Sequence, residues 1–157
     1  MEGFTVALAL VDAVPVLAFA AGMGTVAARF GSPLFWCGAA LSILAGCCKV
    51  AWKFILGLRK KDLRWLNKPF VPMQGAGFLL MIAAVLVNIT KISWGAVLAS
   101  LTGIPAGLFF AAWVVLMGFM GWYRKNKFRH DDARSNWTAQ LVNAAGQICL
   151  LLGVLAA

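Results

Sequence analysis

Few residues of this chain have side chains able to do chemistry, and most of those sit among apolar neighbours. Asp12 is enclosed by leucine, valine, alanine and proline, and Lys49 and Lys53 stand one helical turn apart in a second apolar stretch. Near the C-terminus Gln140, Asn143 and Gln147 recur at i, i+3 and i+7, which puts three amides along one stripe of a helix. Gln74 opens a third apolar stretch, and Ser42 precedes Lys49 by seven residues. A charge or amide in apolar surroundings is costly unless it finds a partner, so these positions are informative. Their chemistry is that of binding: an ion pair, a cationic ladder of Lys49 and Lys53, and amides that hold a polar guest or a neighbouring helix.

Bond-making chemistry lacks its parts. Hydrolysis or redox work inside a bilayer needs a Ser/His or His/Glu pair, a reactive Cys pair or a metal cluster. The single histidine, His130, lies in the charged segment Arg129 to Asp132, where solvation is its expected state. Asp131 and Asp132 are opposed as cation ligands by the arginines beside them. A desolvated lysine nucleophile at Lys49 is the one formal route to catalysis. Cys37, Cys47, Cys48 and Cys149 form no CxxC spacing and are expected as buried thiols filling space like small apolar residues. No catalytic residue, metal site or cofactor is therefore expected. Asn88 to Thr90 and Asn136 to Thr138 match the glycosylation sequon. The first hugs the expected membrane surface and the second falls in a cytoplasmic loop, so neither is expected to be used.

The elements that position these residues follow from composition. Of 157 residues, 62% are hydrophobic and 12% charged, against about a quarter charged in soluble domains. One small core cannot hide that much apolar surface, so lipid must cover the remainder. Five apolar runs, about 4–28, 33–58, 70–89, 94–122 and 138–156, are each long enough for the ~30 Å hydrocarbon layer. The first has no basic leader and outruns a signal peptide's apolar segment, which makes it a retained helix. The expected fold is an all-α integral membrane protein: one transmembrane domain, a bundle of five helices.

Charge placement orients the bundle. The net charge is +9, and ten of the fourteen Lys and Arg fall in the segments 59–69 and 123–137. The other two connections hold only Arg29 and Lys91. The positive-inside rule then puts the rich loops and the N-terminus in the cytoplasm and the C-terminus outside. Basic loops of this kind meet anionic lipid headgroups, and no base-stacking or groove-reading motif suggests nucleic acid. Trp52, Trp65, Trp122 and Trp137 suit an interfacial belt at that same end.

Depth can be reckoned from the run edges. Asp12 lies about 12 Å in and Lys49 about 13 Å in from the cytoplasmic side, which predicts an Asp12–Lys49 interaction, direct or through one water, with Lys53 snorkelling to the headgroups. Asn143, Gln147 and Gln74 extend this polar level. The outer half is expected to be apolar and closed by Trp36, Trp94 and Asn88. Pro15 and Pro105 fall inside apolar runs, and Gly103 to Gly107 marks a kink or unwound stretch. Small residues at Ala18, Gly22, Gly24, Ala144, Ala145, Gly146 and Gly153 mark close helix contacts. A faint repeat relates Trp36–Leu41 to Trp94–Leu98, each leading through Ala-Trp into a basic loop.

Two functions suit this pattern. One is a small transporter or channel, working as a homo-oligomer, with a cytoplasm-facing pocket. Asp12, Lys49, Lys53, Gln74, Asn143 and Gln147 would there bind an anionic or amphipathic ligand. The other is a non-transporting subunit that binds lipid or a small molecule, or joins a membrane partner. There the same polar groups are interhelical glue worth ~0.5–2 kcal/mol each. Either belongs in a cell's inner, or plasma, membrane.

Overall fold

The computed structural model describes residues 6–128 and 132–157, so Phe4, Arg129, His130 and Asp131 lie outside the described residues. All regular structure within it is helical: α1 (Val6–Phe30), α2 (Pro33–Arg59), α3 (Arg64–Asn67), α4 (Phe70–Val87), a 3-10 turn (Ile89–Lys91), α5 (Trp94–Thr102), α6 (Ala106–Asn126) and α7 (Ala133–Ala156). Five segments are long and apolar enough to cross a membrane: α1, α2, Arg64–Val87, α6 and Arg134–Ala156.

Local chemistry sets the helix ends. Gly31 adopts φ +65°, and Ser32 follows as N-cap, its Oγ accepting from the Phe35 N–H with Pro33 in the first turn. A two-residue connection forces α1 and α2 antiparallel. Lys60 closes α2 in the left-handed conformation. Asp132 starts α7 by accepting from the backbone N–H groups of Arg134 and Ser135. Pro15 sits inside α1 without interrupting it.

The fourth apolar run breaks inside the stretch marked for a kink or unwinding, so the single span 94–122 is not formed. It divides into α5 and α6 around Gly103, Ile104 and Pro105. Proline has no N–H to continue the α5 ladder, and the 21 residues of α6 span about 31 Å unaided. The supposed repeat also fails to give matching elements, since α2 runs unbroken where its counterpart is split.

Packing follows the lateral order α4, α2, α1, α7, α6, with α3 against α2 and α5 against α6. The closest approach is between α2 and α4, where Gly38 and Gly77 face each other's backbones. Gly22 of α1 meets Leu151 of α7, while Gly146 and Gly153 admit Met117 and Phe110 of α6. Gly24 contacts nothing within 4 Å and Ala145 is exposed, so those two small residues do not mark interfaces.

The bundle is chemically divided along its axis. At the end away from the basic loops, Ala27, Phe35, Ala39, Met81 and Ala84 form a buried apolar cluster with Phe19, Met23 and Phe30 against it. That end is closed by these residues, not by the Trp36, Trp94 and Asn88 lid. Both tryptophans are exposed, and the Asn88 amide donates to Ala84 of its own helix. Arg29 donates to the Val154 carbonyl there. Cys37 and Cys47 are exposed instead of buried, and Cys48 and Cys149 are partly buried.

At the basic end the α2–α3 turn is pinned by Asp62, which accepts from Arg64 Nε at 2.7 Å and from Trp52 Nε1 at 2.9 Å. Arg64 first and Trp52 second hold its carboxyl below the usual carboxylate range. The folded state is thus the stronger acid, so the stabilisation is intact above the ordinary carboxylate pKa and is lost as pH falls through the lowered one. The Trp52 indole N–H resonance is expected to stay fixed from neutral pH down to about 4 and to move only below that. Movement at the ordinary value, or an unchanged profile in Asp62→Asn, would contradict the contact.

Candidate functional site

Where α1, α2, α4 and α7 converge, the helices leave a cavity of about 250 Å³. Its polar wall is Asp12, Ser42, Lys49, Gln74, Asn143 and Gln147, and Phe19, Phe70 and Phe78 supply much of the apolar wall. Five of the six residues expected at a site thus line one space. The sixth, Lys53, does not line it.

Lys53 is instead the partner of Asp12. Its Nζ lies 2.9 Å from Asp12 Oδ2, and the residues are 4% and 2% exposed. The direct partner of Asp12 is therefore Lys53 and not Lys49, which lines the same cavity as Asp12, and the expected snorkelling of Lys53 is corrected. Counted from the turn at Gly31 and Ser32, Asp12 falls midway between Lys49 and Lys53, so register leaves both within a turn of it, and the contact is made by Lys53. Lys49 lies one turn deeper, about 6 Å further along the axis.

Lys49 is held differently. Its ammonium sits over the Phe70 ring, 4.5 Å from the centroid, a cation–π contact that ties α2 to α4. Among the described residues no carboxylate lies within ion-pair distance of it. The cavity also holds unsatisfied polar atoms: Ser42 Oγ and Gln147 Oε1 are buried and accept or donate no hydrogen bond within the protein. Ser42 is only 2% exposed. Leaving such a group unmade costs about 1–3 kcal/mol.

A second, larger cavity of about 520 Å³ adjoins the first at the basic end and shares Lys49 with it. Its wall takes Trp52 and Lys53 from α2, Asn67 from α3, Arg124 from α6 and Gln140 from α7. The amide stripe of α7 is thus divided, with Gln140 in this cavity and Asn143 and Gln147 in the first. Tyr123 and Ser135 link α6 to α7 nearby, their hydroxyl oxygens 3.1 Å apart. Sequence reasoning missed Arg124 by assigning it to a loop. The available signal was that Tyr123 and Arg124 follow Trp122 with no helix breaker, so the helix runs on to Asn126.

The arrangement can bind and orient a polar or anionic group. Among the described residues no three His, Cys, Asp or Glu side chains gather where a metal ion could be held. Comparisons with protein-family models, with curated proteins and with solved structures find no match to this chain.

Proposed function

We propose that this chain is a membrane-embedded five-helix bundle that admits an anionic or amphipathic small molecule between α1, α2, α4 and α7 and works as a small transporter or channel. One observation carries the reading. Among the described residues no carboxylate stands at ion-pair distance from Lys49, which faces a cavity next to two buried polar atoms that lack hydrogen bonds. An apolar bundle held together only by glue would satisfy those groups internally. The apolar, lipid-compatible outer surface supports insertion, with Leu17, Val71, Leu79 and Val115 all more than two-thirds exposed.

Orientation rests on charge. The connections at the basic end are assigned to the cytoplasm, with the N-terminus inside and the C-terminus outside. A topology reporter fused at Ala157 is expected to read as non-cytoplasmic, and a cytoplasmic reading overturns the assignment.

Flux tests the function. Proteoliposomes are to be loaded in turn with inorganic phosphate, octanoate and a short-chain phosphatidate. Wild type is expected to move at least one of them faster than empty liposomes. Lys49→Met is expected to fall to the empty-liposome rate while unfolding at the same temperature, because the cavity loses its unpaired charge. Unchanged flux in Lys49→Met rejects the reading. Saturable binding without flux of any probe moves the protein to the non-transporting alternative, a ligand-binding subunit.

A further inference from the structure

The larger cavity at the basic end has a charge excess of its own. Lys49, Lys53 and Arg124 face it from α2 and α6. Asp12, paired to Lys53, is the carboxylate set against them. The other acidic groups at this end of the described chain are already engaged, Asp62 by Arg64 and Trp52 and Asp132 by the first turn of α7. Three cations against one carboxylate leave two positive charges facing a single space. Asn67 and Gln140 contribute amides to the same wall.

We propose that this cavity is a binding site for a phosphomonoester group, carried either on a lipid or on a water-soluble solute. The match is one of charge, geometry and neighbourhood. A phosphomonoester carries about −1.5 to −2 near neutral pH, which meets the excess, whereas a carboxylate or a phosphodiester would leave one cation uncompensated. The Arg124 guanidinium offers a planar fork suited to two phosphate oxygens, with the lysines as point charges and the amides as further donors. Beyond Lys49 lies the first cavity with Phe19, Phe70 and Phe78, where an acyl or prenyl chain attached to the phosphate would find apolar walls. The inference rests on the cavities being a ligand path, and it adds the ligand's head.

Calorimetric titration of the whole protein in an uncharged detergent tests it, with three probes: dihexanoyl phosphatidate, dihexanoyl phosphatidylcholine and inorganic phosphate. The phosphatidate is expected to bind saturably, and the phosphatidylcholine at least about tenfold more weakly. Arg124→Gln is expected to weaken the phosphatidate by roughly ten- to hundredfold, as loss of a charged hydrogen-bond donor does, and Arg124→Lys by less. Should Arg124→Gln fail to fold, Asn67→Asp places a negative charge in the half-exposed α3 wall and is expected to weaken binding comparably. Inorganic phosphate that displaces the phosphatidate at similar concentration marks a soluble source, and displacement only at far higher concentration marks a lipid. Either outcome supports the site. Equal affinity for the phosphatidate and the phosphatidylcholine overturns it, as does no binding of any probe. So does wild-type affinity in a folded Arg124→Gln. If that variant binds normally while Lys49→Met loses binding, the phosphate site fails and the inner cavity stands. If both bind normally, both readings fall.

Discussion

Asp12→Leu is expected to destabilise the bundle by about 3–5 kcal/mol, the cost of removing one partner from a buried ion pair. The loss does not come mainly from the attraction itself, which desolvation of both ions largely offsets. It comes from Lys53, which at 4% exposure would keep a buried ammonium with its carboxylate gone and with Lys49 and Arg124 facing the same cavity. Asp12→Leu combined with Lys53→Met removes both charges and is expected to recover most of the stability. The reverse single variant, Lys53→Met, is expected to cost less than Asp12→Leu. Lys49 lines the same cavity as Asp12 and can swing from the Phe70 ring to replace the lost partner. Reversible unfolding in detergent micelles measures all three. A cost under about 1 kcal/mol for Asp12→Leu, or no recovery in the double variant, would show that the pair is not buried as described.

Gly38→Ala carries the second large effect. A Cβ at Gly38 would stand 2.6 Å from the Gly77 carbonyl oxygen and 2.9 Å from the Met81 backbone nitrogen. Those neighbours are main chain, so no side chain can turn aside and α4 itself must move. Overpacking of this kind costs about 1–3 kcal/mol. Gly77→Ala meets the Gly38 carbonyl at 2.7 Å and the Ser42 side chain, and is expected to behave alike. Gly24→Ala is the control: nothing lies within 4 Å, and alanine gains about 0.5–1 kcal/mol over glycine inside a helix. Because α4 carries Phe70, Gln74 and Phe78, displacing it also shifts one wall of the inner cavity. Loss of stability is therefore expected together with altered probe binding. Tolerance of Gly38→Ala with both unchanged would mean that α2 and α4 do not touch there.

Helix number and approximate extent were legible because a run of twenty or more apolar residues has few other solutions. The 25 residues of α1 and 27 of α2 begin and end within two residues of the hydropathy edges, as far as the described residues extend. The Gly103–Pro105 interruption was legible as a weak point, though not as a full division, because a proline's local effect does not say whether the helix resumes in line. The convergence of Asp12, Lys49, Gln74, Asn143 and Gln147 followed from treating polar residues at similar depth as neighbours. That method has a resolution of about one turn, and the Asp12–Lys53 pairing falls inside its error. The basic-end cavity was out of reach altogether. It exists because α6 packs on α7 and α3 folds against α2, and no periodicity within a single helix encodes which helices become neighbours. The Gly38–Gly77 contact was hidden for the same reason: each glycine is ordinary until the other is placed opposite.

Lys49 lines both cavities with its ammonium resting on an aromatic face, and under the proposed function that placement would make it a swing door. Lifting it from Phe70 costs on the order of 2 kcal/mol, a few times the thermal energy and within reach of an ordinary rotamer change. A negatively charged visitor would draw the door open by its own field and travel with it, while a neutral one would have to push. Sorting by charge would then reside in a single flexible side chain, with no need for any helix to shift.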